Sequence, residues 1–312
     1  MSSPGFRRFS VGLLAYNLVV VLFGAYVRVT GSGAGCGSHW PSCNGVAIPV
    51  APRLETVIEY AHRMTSGVDA LLVLGLVVWA LLAHARGAPV RRAAVTSGVL
   101  TVTEALLGAA LVIFHLVEKD ASAARAVAIS LHLVNTFALL AALTATVRAA
   151  YGGTGMRLSR QGLAVVLWGG SMVLVTVLAI TGAITALGDT LFPSATFVAG
   201  FQQDFHPGAS FLLRLRVVHP LLACVTVLVV CLSAWRLVEL RPGGGARRAA
   251  WAVTVISLSQ VALGLVNLAL AAPAAMQLLH LLVADLTWIA LMLLGTEVLA
   301  KPKLSESLQV AA

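Results

Sequence analysis

Charge is scarce in this chain: 11% of its 312 residues are Asp, Glu, Lys or Arg, against 59% apolar residues and a mean hydropathy of +0.94. So few ionised side chains exclude an ordinary soluble domain, and no soluble domain is expected. The short alternating segments of a β-barrel are also missing. Uniformly apolar stretches of about 20 residues stand in their place, the length that crosses a bilayer as a helix with its backbone hydrogen bonds satisfied internally. No convincing small-residue cleavage site follows the first apolar run. That run continues from Arg7 and Arg8 to Val27, so it reads as a retained helix and not a removable leader.

What is present is eight apolar spans, predicted at 10–30, 57–84, 93–117, 123–148, 161–187, 211–238, 249–271 and 274–300. The net charge of +9 and pI of about 10.1 would suggest nucleic acid in a soluble protein. Here Arg7 and Arg8, the segments 86–92, 148–160 and 236–248, and Lys301 and Lys303 hold fourteen of the 21 Lys and Arg residues, all on alternate connections. The positive-inside rule makes those connections and both termini cytoplasmic, which accounts for the charge without nucleic acid. The opposite connections, 31–56 and 188–210, are long, rich in Gly and Pro and poor in charge, and point to function on the outer side. The expectation is an all-α integral membrane protein of the cell membrane.

Short matches suggest an internal repeat. Thr30-Gly31 answers to Thr181-Gly182, Glu104-x-x-Leu107-Gly108 to Gln260-x-x-Leu263-Gly264, and Ser130-Leu131-His132-Leu133 to Leu278-Leu279-His280-Leu281. Two four-helix bundles follow, 1–150 and 151–312. With an even number of spans between the copies they share one orientation, as parallel repeats about a pseudo-two-fold axis along the membrane normal.

Four histidines occupy matched places in these copies: His62 and His132, then His219 and His280. Their spans all run from outside to inside. Each histidine lies 16 to 22 residues from the basic residue or His84 at its inner end, roughly 24 to 33 Å at helical rise. All four imidazoles therefore fall in the outer leaflet, and spans 2 with 4 and 6 with 8 offer two pairs of axial ligands for heme iron. The plainer reading of any one is hydrogen bonding between helices; four at matched depth favour ligation. His39, His84, His115 and His206 read as ordinary.

Glu59 lies three residues before His62 on nearly the same helix face, where a carboxylate could act as acid, base or electrostatic stabiliser. Complementing the helix dipole is its structural alternative. Arg216 stands at the corresponding place before His219, so the first copy holds the candidate catalytic acid and its counterpart has the character of a cofactor site. Arg28, Arg63, Arg214 and Arg216 are candidates to hold heme propionates, with interfacial snorkelling as the alternative. Asp69 and Asp285 are buried acids whose partners the sequence leaves open. Cys36 and Cys43 suit a disulfide, structural or redox-active, on an oxidising face; with His39 they would give three zinc ligands and no fourth. Cys224 and Cys231 read as packing residues.

Taken together, Arg28-Val29-Thr30-Gly31-Ser32-Gly33, Cys36, Trp40-Pro41-x-Cys43, Glu59-x-x-His62-Arg63, Leu131-His132-x-x-Asn135-Thr136, Val218-His219-Pro220 and Leu279-His280 resemble the heme A synthase family across the whole chain. The resemblance implies that His62 and His132 hold a heme O substrate, that His219 and His280 ligate a heme b cofactor, and that Glu59 assists catalysis. It also implies two successive oxidations of one heme methyl group to a formyl group, and a Cys36–Cys43 disulfide. Heme O synthase and an unidentified electron donor or acceptor are the expected partners, beside membrane lipid, with a homo-oligomer left open. The competing reading is a bis-histidine electron-transfer cytochrome with two permanent hemes. Two features depart from the family pattern: 188–210 holds no cysteine, and Glu104 stands where the second copy has Gln260.

Overall fold

Residues 2–300 are described by a computed structural model. Among them are nine helices: α1 (Pro4–Val29), α2 (Leu54–Ala83), α3 (Pro89–Ile113), α4 (Ala123–Ala150), α5 (Leu163–Leu191), α6 (Phe197–Asp204), α7 (Phe211–Leu240), α8 (Gly244–Ala269) and α9 (Ala274–Val298). All but α6 are long and apolar enough to span a bilayer, which makes the protein a multi-pass membrane protein. Their starts carry local signals. Pro4 and Pro89 occupy first turns, where no amide hydrogen is needed, and the Ser3 and Ser122 hydroxyls accept from the backbone N–H groups of Phe6 and Arg125. The region 188–210 is not wholly irregular. Its two-turn helix α6, capped by Thr196, is too short to register as a span. Lys301 and Lys303 lie outside the described residues.

The eight long helices close into two rings. In the first, α1 packs on α2, α2 on α3, α3 on α4 and α4 back on α1; in the second, α5 packs on α7, α7 on α8, α8 on α9 and α9 back on α5. Helices α2 and α4 are thus diagonal to one another across the first ring, as are α7 and α9 across the second. The rings meet where α4 packs on α9 and on α5 and where α1 packs on α9. Phe137 of α4 and Trp288 of α9 stack there with centroids 4.5 Å apart, and the Trp288 indole Nε1 donates to the Phe137 carbonyl at 2.6 Å. The hydrophobic windows of α4 and α9 are 39% and 44% buried, against 17% to 28% for the other spans, so these two helices form the centre. The rest turn Leu and Val outward, among them Leu71, Leu82, Val166 and Leu228, as a lipid-facing surface requires.

Candidate functional site

All four singled-out histidines sit on the diagonal helices: His62 on α2, His132 on α4, His219 on α7 and His280 on α9. The imidazoles of His62 and His132 are electrostatic neighbours, and so are those of His219 and His280. Each ring edge lies against a glycine on a helix of the other diagonal. A methyl group added at Gly24 (α1) would lie 3.2 Å from His62 Cε1, at Gly182 (α5) 2.9 Å from His219 Cε1, at Gly264 (α8) 3.0 Å from His280 Cε1, and at Gly108 (α3) 3.9 Å from His132 Cε1. The Nδ1 atoms of His62, His132 and His280 are buried without a hydrogen-bond partner, while His219 Nδ1 lies 3.0 Å from the Thr181 hydroxyl. Two half-buried imidazoles per ring, on diagonal helices, with side-chain nitrogens left unsatisfied and glycines making room beside them, fit the axial-ligand demand of a heme.

The Thr-Gly pairs that suggested a repeat do not occupy like places. Helix α1 stops at Val29, so Gly31 lies beyond its end with a positive φ, whereas α5 continues to Leu191 and keeps Gly182 inside the helix. It is Gly24 that faces a histidine from α1.

Glu59, one turn before His62, is buried and fully engaged. Its Oε2 accepts from the Cys36 N–H at 2.8 Å, and its Oε1 accepts from Arg63 Nε at 3.1 Å and from Arg63 Nη2. The same guanidinium donates through Nη1 to the His39 and Ser42 carbonyls, each at 2.6 Å. Thr56 Oγ1 adds a bond to the Gly35 carbonyl at 2.7 Å. The first connection is thereby fastened to the start of α2, with the Cys36 and Cys43 sulfurs joined at 1.98 Å inside it. That pairing leaves neither thiol for zinc.

Glu104 has partners that the sequence did not disclose. The Thr136 hydroxyl and the Asn135 amide both donate to it, and His132 Nδ1 lies 3.5 Å from its Oε1. Asn135 is itself held by the Leu100 carbonyl and the Thr103 hydroxyl. Its counterpart Gln260 instead donates to the His280 backbone carbonyl at 2.9 Å. Asp69 accepts from Asn17 at 2.9 Å and is an electrostatic neighbour of Glu104, whereas Asp285 is fully buried with both oxygens unpartnered among the described residues.

The propionate candidates are placed differently from one another. Arg63 spends its donors on Glu59 and the loop. Arg28 crosses from α1 into the second ring, where it bonds the Ala186 carbonyl, Thr190 Oγ1 and Gln277 Oε1. Arg216 pairs with Asp189 and Asp204, each at 2.9 Å. Burial raises the Asp204 carboxyl above its ordinary value and Arg216 pulls it back. Arg214 is exposed and bonds only the Pro207 carbonyl among the contacts described. Asp189, Asp204, Gln277 and Gly24 were missed from the sequence, and Gly108, Gly182 and Gly264 stood there as repeat matches without their place beside the histidines; the glycines had a signal, since each interrupts an otherwise apolar helix interior where it costs stability.

The sequence profile of a family described as cytochrome oxidase assembly protein, COX15-CtaA, matches residues 7–292. A protein of Thermus thermophilus named protoheme IX farnesyltransferase is 45% identical over 305 residues, covering 96% of this chain and 50% of that protein. Proteins named heme A synthase from Exiguobacterium sp. and Bacillus mycoides are 37% and 46% identical over 114 and 99 residues, covering 36% and 31% of this chain and 37% and 31% of theirs. The chain spans about half the length of the Thermus relatives it matches.

Proposed function

The chain belongs to the COX15-CtaA cytochrome oxidase assembly family, which includes the heme A synthases, and from that premise we propose that it oxidises a methyl group of heme O to a formyl group in two successive steps. In this reading His62 and His132 would hold heme O in the first ring, and His219 and His280 would hold a heme b cofactor in the second. The two rings are parallel repeats, 1–150 and 151–312, in the cell membrane, with termini cytoplasmic and the heme sites toward the outer face.

The observation that carries the proposal is an asymmetry between rings that are otherwise alike. Both set two histidines on one diagonal against two glycines on the other, yet among the described residues the carboxylates stand beside the first pair: Glu59 one turn from His62, and Glu104 at 3.5 Å from His132 Nδ1. An electron carrier with two permanent hemes has no need of that difference, which is the argument against the cytochrome reading.

Converting a methyl to a formyl group with water as the oxygen source releases four electrons and four protons. Heme b, when bound, supplies a one-electron route toward an unidentified acceptor. The residues of the chain do the rest. His62 and His132 fix the substrate's iron and thereby its orientation. Glu59, held in place by Arg63 and the Cys36 amide, sets a carboxyl group near the substrate edge as acid, base or electrostatic stabiliser for positive charge developing there. The loop that Arg63 fastens excludes water above the site.

The name of the Thermus relatives supports a partner. We read the matched half of those proteins as the heme-oxidising half and assign farnesyl transfer to the half that this chain does not cover. Transfer from a prenyl diphosphate calls for carboxylates gathered on Mg²⁺, and among the described residues no three such side chains gather as metal ligands. A heme O synthase is then the enzyme that supplies the substrate.

The test is to express the chain with a heme O synthase in cells lacking heme A, and to identify the extracted hemes by chromatography and mass. Heme A or its hydroxylated precursor is the expected product. Heme O and heme b alone, from folded and heme-loaded protein, would favour the cytochrome.

A further inference from the structure

We infer that Thr181 and Gly182 form a positioning seat for the His219 imidazole, the one supplying a hydrogen-bond acceptor for its Nδ1 and the other a close wall for its ring. The inference rests on the ligand assignment above and concerns residues to which that assignment gives no role.

The argument starts from one hydroxyl. Thr181 Oγ1 donates its single proton to the Leu178 carbonyl at 2.8 Å, one turn back in α5. At 3.0 Å from His219 Nδ1 it is left only to accept. The Leu178 carbonyl is a second acceptor beside the same imidazole, so the arrangement is satisfied with the hydrogen on Nδ1, which leaves the Nε2 lone pair free to face a metal. The next residue in α5 sets the ring's place. A Cβ at Gly182 would lie 2.9 Å from Cε1, 3.4 Å from Nε2 and 3.5 Å from Nδ1, closer than side-chain carbons pack, so any larger residue must displace the ring or the helix. One residue fixes which nitrogen is free and its neighbour fixes where it points.

The local backbone of α7 makes an outside support necessary. Pro220 follows His219 and has no amide hydrogen, so the helical ladder loses a bond beside the ligand. A second strap runs from Arg216, one turn earlier, to Asp189 of α5 at 2.9 Å. Helix α7 is thus tied to α5 at two points in the turn that leads into the proline.

The seat is particular to His219. The residues before the other facing glycines are Phe23, Leu107 and Leu263, which carry no side-chain acceptor. The Nδ1 atoms of His62, His132 and His280 accordingly have no hydrogen-bond partner among the described residues, although at His132 the Glu104 carboxylate lies 3.5 Å away. The glycine facing His132 is also the loosest, at 3.9 Å.

The experiment uses the full chain, purified in detergent, as Thr181→Val, Thr181→Ser, Gly182→Ala and His219→Ala. Heme content, the electron paramagnetic resonance of the low-spin heme and its midpoint potential are read out beside size-exclusion profiles. Loss of a supporting hydrogen bond of this kind typically weakens metal binding about 10- to 100-fold. Thr181→Val is expected to lose heme by that factor and to raise the midpoint potential of what remains, because a ligand without an acceptor on Nδ1–H donates less charge to iron. Thr181→Ser should restore both, and Gly182→Ala should broaden or abolish the low-spin signal. Thr181→Val with wild-type heme content and potential, where His219→Ala has lost the low-spin heme, would overturn the seat and leave the ligand assignment standing. An unchanged low-spin heme in His219→Ala would overturn the assignment and the seat together.

Discussion

Replacing Arg63 by leucine should release the first connection from α2, and the size of the effect follows from burial. The side chains of Arg63 and Glu59 are 9% and 4% exposed, so solvent screens their interaction little. Removing the guanidinium leaves an unpaired buried carboxylate and takes the donor from the His39 and Ser42 carbonyls. Breaking one partner of a buried pair typically costs about 3–5 kcal/mol. At about 1.4 kcal/mol per factor of ten, the amides of the loop should exchange hydrogen with water about a hundred- to several-thousand-fold faster. The Cys36 N–H, bonded to Glu59, and the Asn44 N–H, bonded to the Cys36 carbonyl at 2.9 Å, are the reporters. Hydrogen exchange read by mass spectrometry of 31–53 is the assay, with the helical peptides of α8 as an internal reference. Adding Glu59→Leu to Arg63→Leu removes the stranded charge, so the Asn44 amide in the double variant should be more protected than additivity allows. Effects on Asn44 that add within about 0.5 kcal/mol would refute the clamp.

Gly264→Ala should disturb a low-spin heme in the second ring, because its Cβ would lie 3.0 Å from His280 Cε1, whereas Gly108→Ala, at 3.9 Å, should be tolerated; optical spectra of the two variants decide, and equal effects would remove the glycine argument. Glu104→Leu removes one acceptor from the Asn135 amide, which keeps the Leu100 carbonyl, and from the Thr136 hydroxyl, which keeps the His132 carbonyl, and should cost about 0.5–1.5 kcal/mol for each in thermal or denaturant unfolding. Glu104→Gln keeps an acceptor and should recover most of that loss. Trp288→Phe keeps the stack on Phe137 but loses the indole bond to its carbonyl, so a drop of about 1 kcal/mol is expected, with both heme sites retained. Glu59→Gln is expected to keep the substrate heme bound and to stop formation of hydroxylated or formyl product, as judged by heme extraction and mass; full turnover would take Glu59 out of the mechanism.

Hydropathy alone located the long helices because a bilayer imposes one demand on each of them. The expected span 57–84 is α2, Leu54–Ala83, and 211–238 is α7, Phe211–Leu240, with differences only at the ends. Helix α6 escaped because two turns bury too little apolar surface to stand out from a loop. The histidines were legible because ionisable residues in apolar runs are conspicuous. Their surroundings were not. Arg28 belongs by sequence to the first ring and by contact to the second, and nothing local announces that Ala186, Thr190 and Gln277 receive it. Asn135 and Thr136 could be singled out as part of a motif, but that their acceptor is Glu104 depends on how α3 and α4 face one another.

Helix α1 carries both kinds of information on one rigid rod. Gly24 abuts the His62 ring, and Arg28, four residues on and so about 6 Å along the axis, is locked between α5 and α9 one turn before His280. A ligand that pushes α1 aside on entering the first ring therefore strains the arginine's bonds in the second. Thermodynamic linkage makes that strain mutual: whatever factor a filled second ring imposes on binding in the first, a filled first ring imposes on the second. One beam runs through both rings, so a displacement of α1 in the first is carried to the arginine's partners in the second.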